Sequence, residues 1–204
     1  MDHGGAVRQR ILEEAEHLIH LQGFRGTSLD EIARRCRMTK ANLFHHFRSK
    51  EELGLAVLDF KAECYRRNCL DRVFAAGRSP EDAITELFAD AACFFKGNGC
   101  KAGCFVGNIA LEMSDVNPRF RERAGRFFEE WTAALRRLLE AAGVDGGAAQ
   151  AAEAVLELYE GALMLARTRR DPSVFDRAKD AALRLVLAHA PAASGRRQKL
   201  EYRR

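Results

Sequence analysis

Between Thr39 and Lys50 this 204-residue chain crowds together side chains that can recognise a nucleic acid. The carboxamide of Asn42 can pair bidentately with an adenine edge, and the methyl of Ala41 fits a thymine methyl. Thr39, His46 and Lys50 offer donors to phosphate, beside a helix start whose free N–H groups add positive potential. Lys40, Phe44 and His45 belong to the same set. With Ala41, Asn42 and His46 they are too many for a helix of two turns to bury. The competing reading is a helical hairpin whose charges are merely solvated.

The elements that must hold this set are legible on either side of it. Ser28 is followed three residues later by Glu31, the spacing of a capping box, and Thr27 adds a second hydroxyl at the same helix start. Both hydroxyl residues join the candidate DNA contacts. Leu29, Ile32, Ala33 and Cys36 fall on one helical face. Thr39 is a second N-cap, and Leu43 and Phe47 form the apolar stripe of the helix after it. Cys36-Arg37-Met38 is too short for any connection but a helix-turn-helix. Such a unit presents its second helix for insertion into a major groove.

On these residues the chain resembles the TetR/AcrR family of bacterial transcriptional regulators. Gly23-Phe24, Thr27-Ser28, Ile32-Ala33, Leu43-Phe44-His45-His46-Phe47 and Ser49-Lys50-Glu51-Glu52-Leu53 match the family pattern in order and spacing. Phe44 stands where the family usually has tyrosine, so one phosphate donor is lost there. The resemblance implies an all-α protein and a DNA-binding regulator without enzymatic activity or cofactor. It also implies a homodimer on a near-palindromic operator and a small-molecule effector. The expected division is a DNA-binding head over residues 1–50, a helical regulatory and dimerisation body over 51–190, and a basic, disordered tail over 191–204.

Composition agrees with that reading. Hydrophobic residues make up 47% and charged residues 30%, a soluble globular mixture. No run approaches the roughly 18 apolar residues of a membrane span. The N-terminus lacks a signal-peptide core. A cytoplasmic chain is expected, with its six cysteines as thiols. Up to Lys50 nine basic residues face six acidic ones, and from Arg196 onward five face one. Against a net charge of +4, the stretch between is therefore slightly acidic. A basic head on an acidic body suits a DNA-binding module carried by a sensing one.

Beyond Lys50 the spacing predicts a succession of helices. One runs from Glu51 toward Arg72. Another starts at Ser79-Pro80-Glu81-Asp82, where cap, first-turn proline and acids coincide, and continues to about Phe95. A glycine-rich loop leads to a helix from about Cys104 to before Asn117. A long one follows from Pro118 to before Gly143. The last two cover roughly 148–169 and 173–189 and carry small and aliphatic faces, the composition of half an intermolecular four-helix bundle. Ala154, Leu158, Gly161, Leu165, Ala182 and Leu185 are the expected interface; packing within one subunit is the alternative. Two recognition helices about 34–36 Å apart, or a multiple of that, would then read the operator.

Phe94, Phe95, Phe105, Trp131, Tyr159 and Met164 are the bulky candidates for a ligand pocket. Asn108 and Glu112 supply polar contacts from one helical face. The same residues read equally as core. Cys104 follows a glycine at a helix start near Lys101, features that favour a thiolate. The segment Gly103-Cys104-Phe105-Val106-Gly107-Asn108 resembles one in a branch of the family, and some members of that branch sense electrophiles or oxidants through the matching cysteine. Inert packing and metal binding stay open, although no metal-ligand spacing accompanies Cys104. Cys36, Cys64, Cys69 and Cys93 read as core residues. No nucleophile elbow, phosphate loop, zinc motif or dinucleotide fingerprint supports an enzyme. A nucleoid protein without sequence preference fits the base-capable helix poorly.

Overall fold

The computed structural model describes residues 3–101, 103–144 and 146–189; the basic tail lies outside the described residues. The chain is all-α, with no strand among those residues. In order, the helices are α1 (His3–Gly26), α2 (Leu29–Arg35), α3 (Lys40–His46), α4 (Lys50–Tyr65), α5 (Asp71–Val73), α6 (Pro80–Gly97), α7 (Phe105–Met113), α8 (Pro118–Ala141), α9 (Ala148–Arg169) and α10 (Ser173–His189). The expected helix from Glu51 to Arg72 is interrupted: a π-helical turn over Arg66–Leu70 separates α4 from α5.

Helices as short as α2 and α3 are unstable alone, so caps and burial must hold them. Ser28, Thr39 and Ser49 each accept a backbone N–H from the residue three positions on, a cap worth roughly 0.5–2 kcal/mol. The box at Ser28 is only half made, because Glu31 turns instead to Gln22 Nε2 at 2.8 Å. Ile32, Ala33, Cys36, Leu43 and Phe47 are buried in one continuous core that also holds Ile11, Ala15 and Leu18 of α1. Arg37 takes a left-handed conformation (φ 53°) at the tight turn between α2 and α3.

α1 packs on α4 and on α7, while α8, α9, α10 and α6 form the body. Phe88, Phe95, Trp131, Phe120 and Phe175 are fully buried there. Nothing therefore separates the reading unit from the body: α1 belongs to both.

Candidate DNA-reading surface and effector cavity

α3 is held by its buried Leu43, and its other side chains turn outward. Thr39, Lys40, Ala41, Asn42, Phe44 and His45 are exposed and His46 half-buried. Thr39 Oγ1 accepts the Asn42 backbone N–H at 3.2 Å, and the Asn42 side chain is exposed. Lys40 pairs with Asp30 at 2.9 Å on the surface. Ser28 is exposed at the start of α2.

Two expected contacts sit elsewhere. Thr27 is buried, its hydroxyl donating to the Gly23 carbonyl at 2.8 Å. It fastens the α1–α2 corner and does not face outward. Lys50 folds back, donating to the Arg25 carbonyl at 3.1 Å with its ammonium 4.8 Å from the Phe24 ring centre. Burial lowers its pKa, against an opposing pull from Glu112. It closes the end of α1 in this conformation.

Inside the body is a cavity of about 200 Å³. Of the residues expected to line it, Phe94, Cys104, Phe105, Trp131 and Tyr159 do so. Phe95 does not; it packs on Phe175 with ring centres 5.6 Å apart. Met164 and Asn108 line an open groove between α7 and α9. Glu112 is not at the cavity. Its two carboxylate oxygens accept the backbone N–H groups of Phe24 and Arg25 at 2.8 and 2.6 Å. There the chain reverses at Gly23, whose φ of 81° only glycine adopts freely. A Cβ at Gly23 would also lie 2.9 Å from Glu112 Oε2.

Sequence reasoning missed several cavity residues: His20 of α1, Lys61 and Tyr65 of α4, Cys69, Phe127 and Glu160. The Tyr65 hydroxyl donates to Tyr159 at 3.0 Å, and burial raises both phenols well above their ordinary range. His20 makes a 3.0 Å hydrogen bond through Nε2 to the Gly103 carbonyl and meets the Phe105 ring edge-on. Glu16 contacts both His20 Nδ1, at 3.5 Å, and Lys61, at 2.9 Å. Burial pushes the Glu16 carboxyl up, but the hydrogen bonds of His20 and Lys61 outweigh it and hold the pKa at about 2.

Cys104 departs from the expected thiolate. It caps α7, its Sγ accepting the Gly107 N–H at 3.2 Å. Burial, and then the charge of Glu160, push its thiol well up. Lys101 is exposed and does not enter this balance. Burial likewise raises Glu160 to about 7, with a hydrogen bond from Cys104 opposing it. Cys36 and Cys69 are buried as expected and Cys64 is half-buried, but Cys93 is exposed and is not a core residue.

On the outer faces of α9 and α10, Leu158 and Gly161 are half-buried and Leu165 is exposed. Beyond its own turn of α9, no described atom lies within 4 Å of a Cβ built on Gly161. Ala182 is excluded from any such interface because it is fully buried inside the subunit. Ala154 and Leu185 are half-buried.

An outward α3 over a capped helix-turn-helix, joined to a helical body with an internal cavity, defines a DNA-binding transcriptional regulator. The chain belongs to the TetR family. Residues 11–57 match the family of bacterial regulatory proteins, tetR family, and residues 80–181 match the C-terminal domain of LmrA/YxaF-like transcriptional regulators. The chain is 28% identical over 169 residues to the regulator LmrA of Bacillus subtilis, covering 82% of this chain and 89% of that one. It is 32% identical over 164 residues to the transcriptional regulator AcuR of Cereibacter sphaeroides, covering 77% and 74%. To the transcriptional repressor NemR of Escherichia coli it is 25% identical over 134 residues, covering 66% and 67%. The crystal structure of reduced NemR superposes with a TM-score of 0.80 over 87% of this chain and 95% of that one. These are regulators, and the chain is not an enzyme. No described helix is long and apolar enough to cross a membrane.

Proposed function

We propose that this regulator is a homodimeric repressor that leaves a near-palindromic operator when a compact molecule fills the body cavity. The observation that carries this reading is the place of His20. It lines the cavity, yet it sits on α1, against which the helix-turn-helix packs. A ligand that displaces His20 or Phe105 acts directly on the helix beneath the reading surface. Such a ligand shifts the equilibrium only if it favours the non-binding arrangement.

Ala41 and Asn42 read base edges in this proposal. Thr39, Lys40, His45 and His46 lie against the backbone, with Phe44 packing on sugar. Ser28 holds phosphate through the exposed start of α2. Lys50 contacts phosphate only after releasing the Arg25 carbonyl. Leu158, Gly161 and Leu165, flanked by Ala154 and Leu185, form the seam with a second copy. A C2 seam at one end of the body would set two α3 helices about one DNA turn apart or a multiple of it. Domain boundaries near residues 50 and 190 follow from the same division of labour.

The test compares DNA from upstream of the chain's own gene with random DNA, with and without a small ligand panel. Wild type should prefer the upstream DNA and lose it with an active ligand. Asn42→Ala should cost about 1–3 kcal/mol on that DNA and little on random DNA, as a base contact does. Equal losses on both DNAs would remove Asn42 from the base-reading set, and no preference in wild type would overturn the operator reading.

A further inference from the structure

The cavity is unevenly charged in a way that selects its ligand. Two basic side chains line it, and both are engaged: Lys61 with Glu16 at 2.9 Å, and His20 with the Gly103 carbonyl at 3.0 Å. Glu160 has no counterpart. No basic side chain among the described residues pairs with it, and its side chain takes a hydrogen bond from the Cys104 thiol in the cavity wall. Its Oε2 presses against Gly107, where a Cβ would come within 2.7 Å. The carboxylate thus fills the space the missing side chain leaves. It stands between the cavity and the α7–α9 groove, lining both.

Around this unpaired acid the wall is aromatic: Tyr65, Phe94, Phe105, Phe127, Trp131 and Tyr159. Aromatic faces carry negative potential and attract a cation, more strongly when water is excluded. The indole N–H of Trp131 is a second unmet demand. Trp131 is 1% exposed, and its Nε1 has no hydrogen-bond partner. A buried donor left unpaired is costly unless a ligand acceptor meets it. The volume of about 200 Å³ lies below the usual range of about 300–1,000 Å³ for ligand pockets, so the occupant is compact.

We infer that the cavity takes a compact organic monocation, with its ammonium on Glu160, its apolar body among the aromatic rings, and an oxygen acceptor toward the Trp131 indole. A free carboxylate is excluded, because Lys61 and His20 are already held and the two carboxylates of the wall, Glu160 and the Arg72-paired Asp90, repel it. This assignment rests on the effector reading above and names the chemistry of its ligand.

A charge series of nearly constant shape tests it on the full-length protein by calorimetry: tyramine, 4-ethylphenol and 4-hydroxyphenylacetate. Tyramine should bind. The neutral phenol should bind at least about tenfold more weakly, since it lacks both the charge-assisted bond and the cation–aromatic attraction. The acid should not bind. Glu160→Gln should erase the advantage of tyramine over 4-ethylphenol while leaving the phenol's own affinity in place. The series on wild type stands whether or not that variant folds. The inference is overturned if the phenol or the acid matches tyramine, if no member binds, or if a folded Glu160→Gln keeps the preference. Operator release, followed by fluorescence anisotropy, separates the two readings. Tyramine binding without release preserves the ligand assignment and sinks the effector role. Release by a neutral or anionic molecule that occupies the cavity does the reverse.

Discussion

Glu112 accepts the backbone N–H of Phe24 at 2.8 Å across 88 residues of sequence. It takes that of Arg25 with its other oxygen. One carboxylate thereby caps the reversal that leads from α1 into the helix-turn-helix. Its own helix, α7, begins at the cavity with Cys104 as N-cap and Phe105 as first residue. α7 is therefore tied to α1 twice, at its start through His20 and Gly103 and at its end through Glu112.

Glu112→Ala should release the Phe24 and Arg25 amides. Amide hydrogen exchange at those two positions should quicken, stability should fall by about 1–3 kcal/mol, the cost of unsatisfying charged hydrogen bonds, and operator affinity should fall with it. Helix content should not change. Unchanged exchange at both amides would mean that the clamp is not closed in solution.

Gly161→Arg tests assembly separately from folding. Because no described atom beyond its own turn of α9 lies within 4 Å of a Cβ at Gly161, the substitution starts without a clash inside the monomer. A second copy seated there would have to bury it unpaired. Sedimentation should show monomers with an unchanged melting midpoint and lost operator binding. A dimer of unaltered mass would move the seam to another face.

Brief alkylation with limiting reagent should mark Cys93 first and Cys104 late. Cys93 is exposed, whereas burial and Glu160 keep the Cys104 thiol protonated. Reactivity follows the thiolate and its access. Peptide mass spectrometry gives the order, and early labelling of Cys104 in the folded protein would restore it as a sensor thiol.

Glu160 gives a pH signature of definite sign. Its folded pKa, raised to about 7 from 4.5, means that the folded state favours the protonated acid. Stability from this group is complete below the unfolded value and is lost as pH rises through the folded one. Glu160→Gln, which stays neutral, should melt above wild type at pH 8, and the gap should close by about pH 4.5. A constant gap across that range would show that the carboxylate finds a partner in solution.

The helix-turn-helix was legible because its signals are local. Ser28, Thr39 and the Leu43–Phe47 stripe report on chain within a few residues of themselves. The helix bounds of the body were legible for the same reason, since proline, glycine and caps punctuate them. The cavity was only half legible. Phe105, Trp131 and Tyr159 announce bulk, but His20 hides in the amphipathic pattern of α1, and nothing near Glu112 in sequence points to Phe24. Cys104 shows the limit most clearly. Its neighbours in sequence favour a thiolate, and what reverses this is burial together with the charge of Glu160 on α9. Glu160 had one visible signal, an acid set directly between Tyr159 and the small-residue run Gly161-Ala162.

The shared ownership of α1 bears on how such a protein can be re-engineered. Chimeras are commonly cut where a reading module meets a sensing module, so that each half keeps its own specificity. Here a graft replacing residues 1–50 would carry away Glu16 and His20, part of the wall and of the charge balance around Lys61. A transplanted head would arrive with a different chemical taste. On the proposed function, operator choice and ligand choice would be inherited together in this chain.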